Sequence, residues 1–220
     1  MRTIIRYHER LGDVLRLLPL AKHLSEKGEE VFIECKDQYA DILKCVTYCK
    51  YWQIGTEYAE SDKIIDRQIW PTRYEEWRKS GKWWEDFVFG EIAPQAVGKG
   101  IILDNQIIGP DLGDYSLVAP FGISQVVRHD PIGVIRKAVK MYGHENLIIL
   151  CPPEIEVGGL RCVSCGSLSF MPHLIACADN FLGINSAPAL IASAVREKYD
   201  LIPTGIKQDD YTLGANLVSL

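Results

Sequence analysis

The chain lacks a basic excess: 24 lysines and arginines face 29 aspartates and glutamates, giving a formal net charge of -5. A general nucleic-acid binder needs a cationic face to neutralise phosphates, so this balance argues against nucleic acid as the main partner. It leaves room only for a local basic patch that net charge hides. No apolar stretch is long enough to span a bilayer. Arg2 and Arg6 open the sequence without the apolar run that a secretory signal requires, so a cytoplasmic protein is expected. The cysteines number seven (Cys35, Cys45, Cys49, Cys151, Cys162, Cys165 and Cys177), and an odd count in a chain this long does not suit a disulfide framework. Cys35, which ends the apolar run Val31-Phe32-Ile33, reads as a small buried hydrophobe. Cys162 and Cys165, like Cys45 and Cys49, stand close enough to suggest zinc, but nothing in the sequence ties the two pairs together. His8, His23, His129, His144 and His173 form no ligand motif, so no metal is expected. A G-x-G-x-x-G fingerprint is also missing. The loop after the first strand-like run carries one glycine, Gly12, which sets an NAD-type oxidoreductase aside.

What is present is an α/β rhythm. With 220 residues, 47% of them hydrophobic and 24% charged, the chain suits one large domain or two small ones. Residues 3–7 form a β-prone run. Residues 13–27 place Val14, Leu17, Leu18, Ala21 and Leu24 on one helical face, with Asp13 as N-cap and Gly28 as stop. Residues 30–35 are a second strand, so the opening reads as a βαβ unit with parallel strands. A short helix over 36–43 and strands over 46–52 and 63–65 follow. The aromatic block Trp70, Tyr74, Trp77, Trp83, Trp84, Phe87 and Phe89 is divided by Gly81 into two short helices. Its roughly helical spacing favours core packing over a ligand-stacking surface. A glycine-rich stretch over 94–114, with one strand near 101–103, marks the boundary between residues 1–110 and 111–220. The second half repeats the rhythm: strands over 115–120, 146–151, 160–163, 180–184 and 199–202, with helices over 132–142, 171–178 and 187–195. Such alternation predicts two Rossmann-like halves with parallel sheets covered on both faces.

Two segments carry candidate chemistry. In open parallel sheets, ligands sit beyond the carboxyl ends of the strands. The turn Arg10-Leu11-Gly12-Asp13-Val14-Leu15 leaves the first strand at that edge. Gly12 lets backbone approach a ligand closely, and the Asp13 carboxylate can take a proton from a hydroxyl; its plainer role is to cap a helix. The second segment, Asp179-Asn180-Phe181-Leu182-Gly183-Ile184-Asn185-Ser186-Ala187-Pro188, runs from strand into a helix of small residues. A helix start presents free N–H groups and the positive end of its dipole, which is anion-binding geometry. Its plainer reading is an Asn/Ser cap on a buried helix.

Strand, then Arg-x-Leu-Gly-Asp-Val-Leu with Pro19 close behind, resembles the opening of bacterial heptosyltransferases, glycosyltransferase family 9. Ala-Asp-x-Phe-x-Gly-x-Asn-Ser, before a small-residue helix, resembles the nucleotide-sugar diphosphate site of the same family. The two motifs stand in the family's order and span the chain in a shortened form. The resemblance implies a compact GT-B fold, with the acceptor on the N-terminal half and the nucleotide sugar on the C-terminal half. It implies Asp13 as the catalytic base, with Arg10 and Gly12 beside it, and Gly183, Asn185, Ser186 and Ala187 at the diphosphate. Gly122 and Ser124 match the family's phosphate loop at the start of the second domain, and Arg128 and Lys207 are candidate counter-charges. The reaction implied is inverting, metal-independent transfer of sugar to a hydroxyl acceptor, with no cofactor beyond the donor. The phosphate turn departs from the family's usual acidic residue, Ser or Thr, then Gly, and Pro188 removes a backbone donor. That departure keeps a second reading open, a non-catalytic nucleotide or nucleotide-sugar binder. Homo-oligomerisation is compatible with either.

Overall fold

The computed structural model of the protein describes residues 1–69, 73–122, 130–152, 155–164, 166–204 and 214–220. Two compact units divide at Asn105/Gln106.

In the first unit, β1 (Arg2–Arg6), β2 (Glu30–Cys35), β3 (Lys50–Gln53) and β4 (Lys63–Asp66) form one sheet in the order β3-β2-β1-β4. Every pairing in it is parallel. Between β1 and β2 run α1 (Leu11–Arg16) and α2 (Leu18–Glu26), where the sequence predicts one helix from Asp13. Pro19 explains the break. It has no N–H for the next ladder bond, and its ring crowds the carbonyl four residues back, so the first helix ends at Leu17 and proline takes the first turn of the second. Leu20, Ala21 and Leu24 of α2 are buried. After β2 come α3 (Asp37–Ala40) and a 3-10 turn, Asp41–Cys45. The expected strand from Val46 begins only at Lys50, because Asp104 takes Thr47 out of the ladder, accepting from its N–H and its hydroxyl at 2.7 Å each. The strand expected near 101–103 is also absent. That segment is irregular, held by the Tyr48 hydroxyl donating to the Ile102 carbonyl at 2.6 Å and by Asn105 N–H donating to the Cys45 carbonyl.

The aromatic block forms α4 (Tyr74–Ser80) and α5 (Trp84–Phe89), separated at Gly81, whose φ of 69° is the left-handed conformation that glycine adopts without strain. Trp84 and Phe89 are buried, Tyr74, Trp77 and Phe87 half-buried, and Trp83 exposed. The core reading therefore applies to part of the stripe; Trp70 lies outside the described residues.

The second unit holds β5 (Ser116–Ala119), β6 (Leu147–Leu150), β7 (Arg161–Val163), β8 (Asn180–Ile184), β9 (Tyr199–Ile202) and β10 (Ala215–Leu217). Their order is β10-β9-β8-β5-β6-β7, again with parallel pairings. Counted from the unit's first strand this is the 3-2-1-4-5-6 Rossmann order. The final strand is thus β10, not Tyr199–Ile202 as the sequence suggests; three residues are too short a run to stand out by pattern. At the turn into it, Gly214 has a φ of 75°, and a Cβ there would meet the Glu197 carbonyl at 2.6 Å. Helices α6 (Pro131–Tyr142), α7 (Met171–Cys177) and α8 (Ala187–Val195) complete the unit. Asp130 caps α6 by accepting from Ile132 N–H at 3.0 Å. Val134, Ile135 and Ala138 of α6 pack on Val118, Ile149, Leu182 and Ile184, the inward residues of three adjacent strands.

Candidate active site

In the first sheet the chain reverses direction of crossover between β1 and β4, the switch point where open parallel sheets bind ligands. The loops after these strands are joined there: Arg67 N–H donates to the Arg6 carbonyl at 3.2 Å, and His8 N–H to Gln68 Oε1 at 3.3 Å. Asp13 lies just beyond. It is not the N-cap of its helix; that position is Arg10, which makes no side-chain cap, and Asp13 sits in the first turn instead. The carboxylate is thereby released from capping. Its Oδ2 accepts from the Tyr7 hydroxyl at 2.7 Å. Burial pushes its pKa above the ordinary carboxylate value, against the opposing pull of Arg16, the Tyr7 hydrogen bond and Arg10. A carboxylate made more basic in this way is suited to accept a proton near neutral pH.

Behind this group stands Trp84. Its ring meets Tyr7 edge-on, with centroids 6.0 Å apart, and the Arg16 guanidinium lies 5.4 Å from its centroid. Tyr7, Arg16 and Trp84 are all buried. Spacing alone does not link them, although Arg16, three residues after Asp13, shares its helix face. Trp84→Ala is expected to cost about 3–5 kcal/mol in urea unfolding. It should also lower any Asp13-dependent activity, whereas Trp84→Phe keeps most of both. Equal stability for Trp84→Ala and wild type would remove Trp84 from this supporting role.

A second carboxylate at the same edge, Glu34, ends up differently. It is buried, and Arg6 Nε at 3.4 Å, His8 Nε2 and the Tyr58 hydroxyl all address it. Arg6 also donates to Asp66 at 3.0 Å and to the Tyr58 hydroxyl at 2.7 Å. With its oxygens already engaged by His8 and the Tyr58 hydroxyl and the Arg6 guanidinium beside them, Glu34 is committed to structure, and Asp13 is the better candidate base. His8, in the same loop as Asp13, is thus tied to Glu34.

In the second unit the switch lies between β5 and β8, which pair Ala119 with Gly183. The loops leaving them, with Gly122 on one side and Asn185-Ser186 on the other, therefore depart from neighbouring points. Gly183 itself is buried within β8, where a Cβ would meet the Phe181 ring at 2.9 Å. The missing Cβ leaves room for the Phe181 ring, whose centroid lies 6.3 Å from that of Tyr199. Ser186 is the N-cap of α8, in extended backbone with no side-chain cap; its hydroxyl donates to the Ile184 carbonyl at 3.1 Å. Ser186 and Ala187 are half-buried. Asn185 is buried: its Oδ1 accepts from Thr204 N–H at 3.3 Å, while Nδ2 finds no partner among the described residues. The Thr204 hydroxyl is likewise buried without a partner among them. Unmade hydrogen bonds of buried polar groups cost about 1–3 kcal/mol each, so two side by side at a strand's carboxyl end point to a polar occupant. Thr204 carries no signal in the sequence because it lies beyond any motif, two residues after the end of β9 and beside Asn185.

Ser124, Arg128 and Lys207 lie outside the described residues, as does Cys165. Among the described residues no group of three His, Cys, Asp or Glu side chains could hold a metal, and no helix is long and apolar enough to cross a membrane.

No protein-family profile matches the sequence, and no curated protein matches it in sequence. Solved structures do match in fold. A glycosyl transferase family 9 protein from Veillonella parvula superposes with a TM-score of 0.71 at 10% identity, over 99% of this chain and 86% of that one. Heptosyltransferase WaaC of E. coli, solved with ADP, gives 0.66 at 11% identity, over 100% and 93% of the two chains. E. coli ADP-heptose LPS heptosyltransferase II gives 0.68 at 10% identity, over 99% and 90%. The chain therefore has the compact α/β, doubly Rossmann-like fold of GT-B glycosyltransferases, and the resemblance carried by its two motifs extends to its architecture.

Proposed function

We propose that the protein transfers a sugar from a nucleoside-diphosphate sugar to a hydroxyl acceptor, with inversion and without a metal. The observation that carries this reading is Asp13. It is a half-buried carboxylate made more basic by burial, released from capping and braced by Tyr7 and Arg16, at the switch-point edge of a fold shared with sugar transferases. In the reaction, Asp13 takes the proton of the acceptor hydroxyl as its oxygen forms a bond to the anomeric carbon. The bond from that carbon to the diphosphate oxygen breaks on the opposite face, which inverts the centre. The electron pair leaves with the nucleoside diphosphate. Its charge is met by the backbone N–H groups at the start of α8, by the helix dipole and by the polar groups of Asn185, Ser186 and Thr204. Donor activation needs no metal when fixed dipoles and cations supply this neutralisation. A cytoplasmic setting, where nucleotide sugars are made, suits this chemistry.

Because related folds have been solved with ADP and with an ADP-heptose analogue, ADP-sugars are the first donors to test. A nucleoside diphosphate held at about one hundred times its Kd should stabilise the protein by about 2.7 kcal/mol, a shift of several degrees in Tm. Incubation of the matching nucleotide sugar with hydroxyl acceptors should release the diphosphate and form a product of inverted anomeric configuration by NMR. Retention of configuration, or a flat melting profile across ADP-, UDP- and GDP-linked ligands, would count against the proposal.

A further inference from the structure

Two cysteines of the second unit, which the transfer chemistry does not use, meet across adjacent strands. Cys162 of β7 stands opposite Ile149 of β6. Cys151 follows β6 directly, and its N–H continues the ladder to the Val163 carbonyl at 3.0 Å. Ile149 and Cys151, two residues apart, point to one face of the sheet, and Cys162, as the partner of Ile149, points to the same face. The two thiols interact directly there. Cys151 is buried and Cys162 half-buried, so the pair is reached from solvent through Cys162.

The surroundings are apolar. Ile155, Val157 and Leu160 pack beside Cys162 against the core that includes Cys151. The thiol protons have only weak acceptors: Cys151 Sγ lies 3.6 Å from the Ile149 carbonyl oxygen and Cys162 Sγ 3.9 Å from that of Leu160. Val157 N–H donates to the Cys162 sulfur at 3.4 Å, a bond that supports an electron-rich, metal-bound sulfur. Two chemistries use a thiol pair, and the register separates them. One strand spacing and two residues of rise put the diagonal Cα atoms about 8 Å apart, beyond the roughly 6.8 Å that a disulfide spans. A bridging ion reaches further, because two metal–sulfur bonds of about 2.3 Å set the sulfurs about 4.6 Å apart.

We propose that Cys151 and Cys162 form a two-thiolate site for a soft monovalent cation, copper(I). Soft sulfur ligands select copper(I), whereas magnesium and calcium need oxygen ligands that this apolar setting does not offer. Zinc takes four ligands, and among the described residues no third His, Cys, Asp or Glu joins the pair. Copper(I) is satisfied by two sulfurs in line. On binding, each thiol gives its proton to solvent and its sulfur supplies the electron pair of one metal–sulfur bond; nothing is oxidised or reduced. The complex carries one net negative charge, toward which the Val157 N–H is directed. The proposal is independent of the sugar-transfer reading, since neither cysteine belongs to that machinery.

The test uses the full, reduced chain, loaded anaerobically with copper(I) and then challenged with a copper(I) chelator. Native mass spectrometry should find one copper retained per chain, and copper-edge X-ray absorption should find it bound by two sulfurs. Cys162→Ala and Cys151→Ala should each lose the retained copper. Cys177→Ala, which removes an exposed thiol, and Cys35→Ala, which removes a buried one in the first unit, should keep it. Circular dichroism checks folding, and Cys162→Ala, at the half-buried position, decides alone if Cys151→Ala misfolds. Any nucleotide-induced rise in Tm should persist in all variants, so a failure of the copper site leaves the sugar-transfer reading untouched. No retained copper, retention unchanged in Cys162→Ala, or a copper bound by three or more sulfurs would overturn the proposal.

Discussion

Asp13→Asn should abolish transfer and yet melt at a higher temperature than the native protein. The loss of turnover is that of a general base, about 10²–10⁴-fold. The gain in stability follows from linkage. Burial raises the folded-state pKa of Asp13 above its unfolded value, so the folded chain holds that proton more tightly. The corresponding stability is fully present below the ordinary carboxylate pKa, about 3.9, and is lost as pH rises through the raised folded value. Asparagine mimics the protonated form and does not lose it. The two proteins should therefore melt together at low pH and diverge as pH rises, Asn ahead, until the difference levels off above the folded pKa. Tyr7→Phe removes a hydrogen bond that favours the carboxylate, so the acidic limb of its pH–rate profile should move upward. Melting curves from pH 3 to pH 8 decide the point. An Asn variant less stable at pH 8 would mean that Arg16 outweighs burial and that Asp13 is a structural ion-pair partner.

Ser186→Glu should leave the unliganded protein folded and eliminate its response to nucleoside diphosphates. An acidic residue at the cap of α8 suits the helix dipole, so the variant's own Tm should match or slightly exceed that of wild type. The same carboxylate would occupy the space of a diphosphate oxygen, and placing like charges together costs several kcal/mol. A loss of at least about one hundredfold in affinity is expected by calorimetry, with Ser186→Ala losing far less because the hydroxyl is turned to the Ile184 carbonyl. If Ser186→Glu binds the diphosphate as wild type does, the nucleotide lies elsewhere and the second motif is only a helix cap.

These two positions also show how far the sequence could be read. Strands such as Glu30–Cys35 and Asn180–Ile184 were legible because buried parallel strands are short continuous apolar runs bounded by turns. The site's backbone was legible too, since strand-to-helix turns with glycine or serine carry local signals. Its support was not. Tyr7, Arg16 and Trp84 converge on Asp13 from two sequence regions about seventy residues apart, and Glu34 loses its freedom to His8 and Tyr58, contacts that only the crossovers create. Asp13 reads as a cap in the sequence because cap residues and first-turn acids look alike there, whereas the structure puts Arg10 at that position. The helix break after Leu17 was present in Pro19, but a strong apolar period across Val14, Leu18 and Ala21 concealed it.

The parallel strand order has a consequence for how the molecule is made. Every described strand pairing joins segments separated by a crossover, so the sheets assemble only from contacts distant in sequence, which slows folding. The first sheet has all its strands once Asp66 has left the ribosome. The second keeps β9 as an unpaired edge until Leu217 follows, and an open edge is a template for pairing with another chain. During synthesis the second unit's sheet, whose strands run from Ser116 to Leu217, stays incomplete over a longer stretch of chain than the first unit's, whose strands run from Arg2 to Asp66.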